Sequence, residues 1–220
     1  MAVVELQHLS VMLKKVHPRE VAIIQRVDDL AVEIDRGIRN FGTVVEQQQQ
    51  NQTKGPSYYY AYEVDGYRNH YFMDDANVPS LLSLPYLGYG TASDPIYQTT
   101  RSKLLSVDFN PYYFEGTTGL SGIGGPHKGL GYIWPMSIII RALTSTNDTE
   151  IMDCLRTLKD SASGTGFLHE SFWLEDVLRF TRPWFAWANS LFRELVYTLS
   201  EERPHLLLLP LHDYSSNESF

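Results

Sequence analysis

Apolar residues recur at helical spacing along most of the chain, and this pattern predicts successive pairs of helices. The first helix has an apolar stripe at Leu6, Leu9, Leu13 and Val16, and a second stripe follows between Pro18 and Gly42. Further helices are predicted over residues 81–84, 91–106, 135–143, 147–158 and 182–203. Only a few residues separate the helices at 135–143 and 147–158, so these two should pack antiparallel.

The connections between the predicted helices carry the unusual residues. Residues 58–73 are rich in aromatic side chains around Asp65-Gly66, which predicts a short hairpin. Residues 46–54 form a polar, Gln-rich insert, and no chemistry is assigned to it. Residues 110–134 are irregular and rich in glycine, but the spacing fits neither known phosphate-binding pattern, so a nucleotide site is rejected. Paired helices with such connections predict an all-α fold of the α/α toroid type, whose loops at one end form a concave site.

Composition excludes several kinds of partner and site. The net charge is -8, and the sequence contains no Lys/Arg stripe that could neutralise phosphates, so no nucleic-acid partner is predicted. No run of about 18 apolar residues occurs, so no membrane span is predicted. The single Cys154 excludes an internal disulfide or a Cys-based zinc site and is predicted to lie in the core. No ligand spacing typical of a metal is present, and neither a metal nor a cofactor is predicted.

The stretch from 161 to 190 places a carboxylate among aromatic residues. Glu170 follows His169, and four large aromatic residues come after it, Phe172, Trp173, Trp184 and Trp187. Such neighbours partly exclude water, which lets a protein adjust the pKa of an acid for proton transfer. Glu170 is therefore the first catalytic candidate. The alternative interpretation, in which Glu170 caps a helix or pairs with Arg179 or Arg182, stays open.

A second polar group, Asp74, Asp75 and Asn77, precedes the predicted helical run at 81–84. These side chains could cap that helix by accepting hydrogen bonds from its free amides, or they could bind hydroxyl groups. Aromatic faces together with carboxylates and amides suit a sugar, because the faces stack on the ring and the polar groups bind vicinal hydroxyls. Cleavage of a glycosidic bond would then require two carboxyl groups.

Three long motifs resemble one family of glycosidases. They are YEVDGY with MDDANVPSLLSLPYLG at residues 62–67 and 73–88, GIGGPHKGLGYIWPMSIIIRALTS at 122–145, and GFLHESF with FTRPWFAWANSLF at 166–172 and 180–192. Their order and content are similar to glycoside hydrolase family 125. This resemblance implies an (α/α)6 barrel and a metal-independent, inverting exo-α-1,6-mannosidase that acts on a mannose-containing glycan.

The resemblance also implies roles for individual residues. Glu170 of the HESF motif looks like the general base that activates water. The residues implied to form the substrate-binding pocket are Asp74, Asp75, Asn77, His127, His169, Arg182, Trp184 and Asn189. For these residues, the resemblance does not separate direct sugar contact from a role in the scaffold.

One expected motif is absent. Family members carry an FRPSDD-type motif in their N-terminal half, whose acidic residue is taken to be the general acid, and this sequence has no such motif. The expectation is therefore that residues 1–210 form the C-terminal half of the family barrel and that 211–220 form a flexible tail. A missing N-terminal half would be the partner that supplies the acid. The alternative is a non-catalytic, truncated remnant that binds mannosides weakly or pairs with that missing half.

Overall fold

The computed structural model describes residues 1–46 and 55–211. Its helices are α1 (Ala2–Val16), α2 (Val21–Phe41), α3 (Pro95–Leu104), α4 (Pro135–Leu143), α5 (Asp148–Ser161), α6 (Ala186–Glu202) and α7 (Pro204–Leu207). Its short strands are β1 (Thr43–Val45), β2 (Tyr58–Tyr60), β3 (Glu63–Val64), β4 (His70–Tyr71), β5 (Tyr113–Glu115), β6 (Ser121–Ile123), β7 (Tyr132–Ile133), β8 (Ser171–Trp173) and β9 (Asp176–Thr181). The Gln-rich insert after Glu46 and the predicted tail after Leu211 lie outside the described residues.

The chain divides into two compact units. The first comprises Met1–Phe72 and Leu84–Thr100, and the second comprises Met73–Ser83 and Arg101–Phe220. No helix among the described residues is both long enough and apolar enough to cross a bilayer.

The first unit is built on the two consecutive helices that the apolar stripes predicted. Helix α2 ends at Gly42, whose amide donates to the Ile38 carbonyl, as expected for the end of the second stripe. Asp94 accepts hydrogen bonds from the first free amides of α3, at Ile96 and Tyr97, and so caps this helix. The aromatic hairpin is shorter than predicted, because only β3 and β4 pair across its turn, whereas β2 pairs with β1.

The second unit has its core between α4, α5 and α6. Ile139, Ile151, Leu158 and Leu195 are fully buried there together with Phe172 of β8. Cys154 is a buried member of the same core, as predicted. Asn147 caps α5 by accepting hydrogen bonds from the amides of Thr149 and Glu150, which fixes the short link after α4.

A three-stranded antiparallel sheet, β7-β8-β9, lies in the second unit. Tyr132 pairs with Trp173, and Phe172 pairs with Phe180, so the sheet joins the glycine-rich segment to the HESF motif. Gly131 has a φ of 80°, and a Cβ at this position would lie 2.5 Å from the Trp173 ring. The turn into β7 therefore requires glycine.

Two predicted helical segments have a different structure. Residues 81–84 form turns, because Pro79 and Pro85 bracket a segment too short for a stable helix. The final helix begins at Ala186 and not at Arg182, since residues 176–181 extend as β9 and pair with the strand that follows Glu170. Glu170 thus directly precedes a strand and does not cap a helix.

Candidate functional site

An open cavity of about 590 Å³ lies within the second unit. The residues that line it are Asn77, His127, Trp134, Glu170, Arg182, Trp184, Phe185, Ala186 and Trp187. Aromatic rings dominate this wall, and Glu170 is the carboxylate among the lining residues that the structure describes. A concave site of this size, with few polar groups among aromatic rings, is typical of a small-ligand pocket.

Glu170 sits immediately before β8, and its side chain is 8% exposed. Its backbone amide lies 3.1 Å from the Thr181 carbonyl oxygen, so the start of β8 is tied to the end of β9. The Thr181 hydroxyl donates to its Oε2 at 3.0 Å, and the Arg182 Nε lies 3.3 Å from its Oε1. The carboxylate is thereby oriented at the cavity wall by one neutral donor and one cation.

A second hydroxyl supports this arrangement. The Ser171 and Thr181 hydroxyl oxygens lie 2.7 Å apart, and Ser171 is completely buried. Because the Thr181 hydrogen is directed at Glu170, the Ser171 hydroxyl donates to Thr181. Neither residue was singled out from the sequence, although both lie within the motifs, because their proximity depends on the pairing of β8 with β9.

Residues 182–187, which follow β9, form most of the aromatic wall. The Trp184 and Trp187 side chains are 61% and 64% exposed, respectively, and both line the cavity. Phe185 lies between them and makes an edge contact with Trp187 at a centroid distance of 5.8 Å. Arg182 has a φ of 43°, in the left-handed region that residues with a side chain seldom adopt. This backbone conformation directs the chain from the strand into the wall segment.

The remaining wall comes from the glycine-rich and MDDAN motifs. His127 makes an edge contact with the buried Trp134, which in turn contacts Phe185. The Asn77 side-chain amide donates to Asp75 Oδ1 at 2.9 Å, and this bond fixes the orientation of Asn77 beside the cavity. Together these contacts bring all three motifs to one site.

Asp74 and Asp75 lie next to the wall but are not among the lining residues. Asp74 is completely buried and accepts hydrogen bonds from the amides of Leu81 and Leu82. Burial raises the pKa of Asp74 to about 7, against the opposing effect of those two amides. Asp75 accepts hydrogen bonds from the backbone amide and the side chain of Asn77. Both carboxyl groups therefore bind the local backbone, and the cap-like interpretation fits Asp74.

His169 and Asn189 also bind the backbone. The Nδ1 of the buried His169 lies 2.8 Å from the Pro183 carbonyl oxygen. The Asn189 side chain accepts from the Leu168 amide and donates to the carbonyl oxygens of Leu168 and Phe185. Both residues therefore link the HESF motif to the wall segment without lining the cavity.

The structure thus brings five of the residues proposed from the sequence into one wall, namely Asn77, His127, Glu170, Arg182 and Trp184. Direct sugar contact by any of the proposed residues stays a prediction. Trp134, Phe185, Ala186 and Trp187 line the same cavity and were not proposed as binding residues. All four lie within the same motifs, and Trp187 was also named from the sequence as one of the aromatic residues that follow Glu170.

Within residues 1–46 and 55–211, no three His, Cys, Asp or Glu side chains are grouped so that they could hold a metal ion. The functional groups along the cavity are a carboxylate, a guanidinium, an imidazole, a carboxamide and aromatic rings.

The sequence profile of glycoside hydrolase family 125, the metal-independent α-mannosidases, matches residues 1–197. The chain belongs to this family. The resemblance inferred from the three motifs is thereby confirmed. A curated relative, the meiotically up-regulated gene 157 protein of Schizosaccharomyces pombe, is 51% identical over 207 residues, which are 94% of this chain and 39% of the relative.

A solved structure from the family also matches the fold. It is a metal-independent α-mannosidase of Streptococcus pneumoniae, in a non-productive substrate complex with α-1,6-mannobiose. The TM-score is 0.83 at 37% identity, and the match covers 92% of this chain and 46% of that chain. This likeness supports the predicted α/α toroid class, here as a mainly helical fold with small sheets. The chain spans less than half the length of either relative.

Proposed function

We propose that this chain forms the base-bearing part of an inverting exo-α-1,6-mannosidase, in which Glu170 activates the water that attacks the anomeric carbon. The observation that carries the proposal is the position of Glu170. It is a nearly buried carboxylate, held by Thr181 and Arg182, at the wall of an aromatic cavity. A carboxylate held in one orientation can direct a water molecule, and indole faces can stack on a sugar ring. The solved family structure binds α-1,6-mannobiose, which supports that linkage.

The general acid is proposed to lie outside residues 1–220. An inverting glycosidase holds its two carboxyl groups about 6.5 to 9.5 Å apart, with room for a water between them. Asp74 and Asp75 are poor candidates for the acid, because both bind the local backbone and neither lines the cavity. The greater length of both relatives supports the corresponding proposal for the fold, that this chain supplies the C-terminal half of an (α/α)6 toroid.

The test is hydrolysis of α-1,6-mannobiose, with proton NMR to identify the anomer that is released first. The 220-residue chain is compared with any longer product encoded in frame upstream of Met1. Glu170→Gln is the test variant, and Glu63→Gln, at an exposed glutamate of β3, is the matched control. The α-1,2- and α-1,3-linked mannobioses serve as controls for linkage.

Each outcome assigns the chemistry differently. Release of β-mannose by the 220-residue chain, lost in Glu170→Gln, would place a complete inverting site within it. Release only by a longer product would place the acid outside it, as proposed. Release of α-mannose first would refute inversion. If no folded form turned over substrate, the non-catalytic alternative would hold, and mannoside binding followed by NMR titration would then define the remnant.

A further inference from the structure

The imidazole of His169 is enclosed on all sides. The residue is fully buried, and its ring stacks on Phe180 with the centroids 3.7 Å apart and the planes at 10°. Its Nδ1 lies 2.8 Å from the Pro183 carbonyl oxygen. Its Nε2 has no hydrogen-bond partner among the described residues. Because a carbonyl oxygen only accepts hydrogen bonds, Nδ1 carries a proton.

The two ring nitrogens of His169 therefore differ in their contacts. Nδ1 donates to the Pro183 carbonyl oxygen, whereas Nε2 contacts no hydrogen-bonding group among the described residues. The hydrogen bond that His169 offers to the rest of the site is thus the one to Pro183.

Pro183 lies in a segment whose backbone conformation needs support. Arg182, directly before it, has a φ of 43°, and such a conformation persists only where the surrounding structure fixes it. Several contacts hold the chain here, among them the His169–Pro183 bond directly after Arg182 and the bond from the Phe185 amide to the Leu168 carbonyl oxygen. The segment that these contacts hold carries the exposed indoles of Trp184 and Trp187.

We propose that His169 is a positioning residue, which holds segment 182–187 through its Nδ1–H and thereby sets the Trp184 and Trp187 indoles on the cavity wall. His169 acts through the wall and does not touch the sugar, which decides between the two roles, sugar contact and scaffold, that the family resemblance left open. The kinetic consequence of this inference rests on the proposed function. The placement of the two indoles does not.

Two substitutions separate the hydrogen-bond donor from the ring. His169→Asn keeps an N–H donor close to the position of Nδ1, because both nitrogen atoms are bonded to the γ carbon. His169→Phe keeps a ring to stack on Phe180 but has no donor. His8→Phe, at an exposed histidine of α1, is the matched control.

The first readout is fluorine NMR of protein labelled with 5-fluorotryptophan. The chain has four tryptophans, so the signals of Trp184 and Trp187 can be assigned by replacing each with Phe. In His169→Phe, we expect these two signals to shift or broaden while the signal of Trp173 stays in place. In His169→Asn and in the control, both signals should keep their positions.

The second readout is kinetic and uses whichever form of the protein hydrolyses α-1,6-mannobiose. Displaced indoles weaken sugar binding more than they affect the reacting atoms, so His169→Phe should raise KM by about tenfold with a smaller change in kcat. His169→Asn should keep KM close to the value of the unsubstituted protein. Glu170→Gln should lower kcat instead.

Unchanged Trp184 and Trp187 signals in a folded His169→Phe variant would overturn the proposal. Equal effects of Phe and Asn would overturn it as well, because an N–H donor at this position would then not suffice to hold the indoles. Long-range proton–nitrogen NMR of the unsubstituted protein tests the same idea without mutation, since a proton on Nε2 alone would contradict it. If the indoles respond as expected but no form cleaves mannobiose, the proposed function fails and the positioning role stands.

Discussion

Glu150 and Glu170 are two largely buried glutamates of the second unit, and each faces arginine. Both oxygens of Glu150 are bound by cations, Oε2 by Arg101 and Oε1 by Arg141, each at 2.8 Å. These arginine side chains are only 14% and 23% exposed. Glu170 instead has a neutral hydroxyl on one oxygen and, on the other, the Arg182 guanidinium, whose side chain is 62% exposed.

The difference separates a carboxylate that joins helices from one that can take part in chemistry. Burial alone would raise the pKa of Glu150, but hydrogen bonds from Ser145 and Arg141 and the charge of Arg101 lower it below its usual value. Its acceptor positions are filled by Arg101 of α3, Arg141 of α4 and Ser145 of the link between α4 and α5. Glu170 borders a cavity and keeps a partner that solvent can reach. The two glutamates should therefore respond to substitution in opposite ways.

The largest expected effect is on catalysis at Glu170. In the form of the protein that hydrolyses α-1,6-mannobiose, Glu170→Gln should lower the rate by about 10²- to 10⁴-fold, the usual contribution of a general base. The free energy of unfolding should change by less than about 1 kcal/mol, because Gln can still accept from Thr181. Steady-state kinetics together with urea denaturation measures both quantities. A variant that unfolds easily but keeps its activity would reverse the roles assigned to the two glutamates.

Glu150→Gln should show the converse pattern. It leaves two largely buried guanidinium groups without a counter-charge, so we expect unfolding to become easier by about 3 kcal/mol. Urea denaturation measures this loss, and Glu63→Gln serves as the control. The fluorine signals of Trp184 and Trp187 should remain in place in conditions where the variant is folded. A change in urea midpoint no larger than that of the control would mean that the ion pairs of Glu150 do not hold α3, α4 and α5 together.

Asp74 extends the comparison to a carboxyl group held by amides alone. Its folded-state pKa of about 7 lies above the usual value of about 3.9, so its contribution to stability is complete below pH 4 and is lost as the pH rises through 7. Between pH 5 and 7 the free energy of unfolding should fall by up to about 1.4 kcal/mol per pH unit. Asp74→Asn should lack this part of the slope in urea denaturation. Equal slopes in parent and variant would show that Asp74 is ionised throughout.

Thr181 tests how closely Glu170 must be oriented. Thr181→Val removes the donor to Glu170 at a cost of about 1 to 2 kcal/mol, the usual penalty for an unpartnered buried group. If this hydrogen bond stabilises the transition state and not the bound substrate, its loss should lower kcat by about 5- to 30-fold. Thr181→Ser keeps the hydroxyl and should stay close to the parent. Loss of activity in both variants would point to the methyl group and not to the hydrogen bond.

The smallest expected effect is on the reactivity of Cys154, which reports on the ion pairs of Glu150 with Arg101 and Arg141. Burial raises the pKa of its thiol to about 12, so the thiol should not react with an aromatic disulfide reagent in the native protein. In Glu150→Gln the reaction should accelerate, because the neighbouring helices open more often. Rapid labelling of the native parent would contradict the buried position of the thiol.

The helical part of the fold could be predicted from the sequence because its signals are local. The apolar stripe of α2 and the caps at Asp94 and Asn147 each depend on residues within one or two turns. The sheet β7-β8-β9 could not be predicted in this way. Its strands are short, and the pairing of Tyr132 with Trp173 joins residues that are distant in sequence.

In the candidate site too, the residues with a local sequence signal could be predicted, and the contacts between distant residues could not. Glu170, Arg182 and Trp184 belong to recognisable motifs, and the structure places them on one wall. The role of Thr181 follows from strand pairing, and no local pattern indicates it. His169 and Asn189 lie in the motifs as well, but only the structure reveals that both bind the backbone of the wall segment.

The tight approach of Gly131 to the Trp173 ring limits how this region can diverge during evolution. A side chain at position 131 would collide with the indole and would also force an L-residue into a left-handed backbone. A smaller residue at position 173 would remove the collision but not the backbone strain. Position 131 should therefore stay glycine in most homologues, and its replacements should occur where position 173 carries a residue smaller than tryptophan.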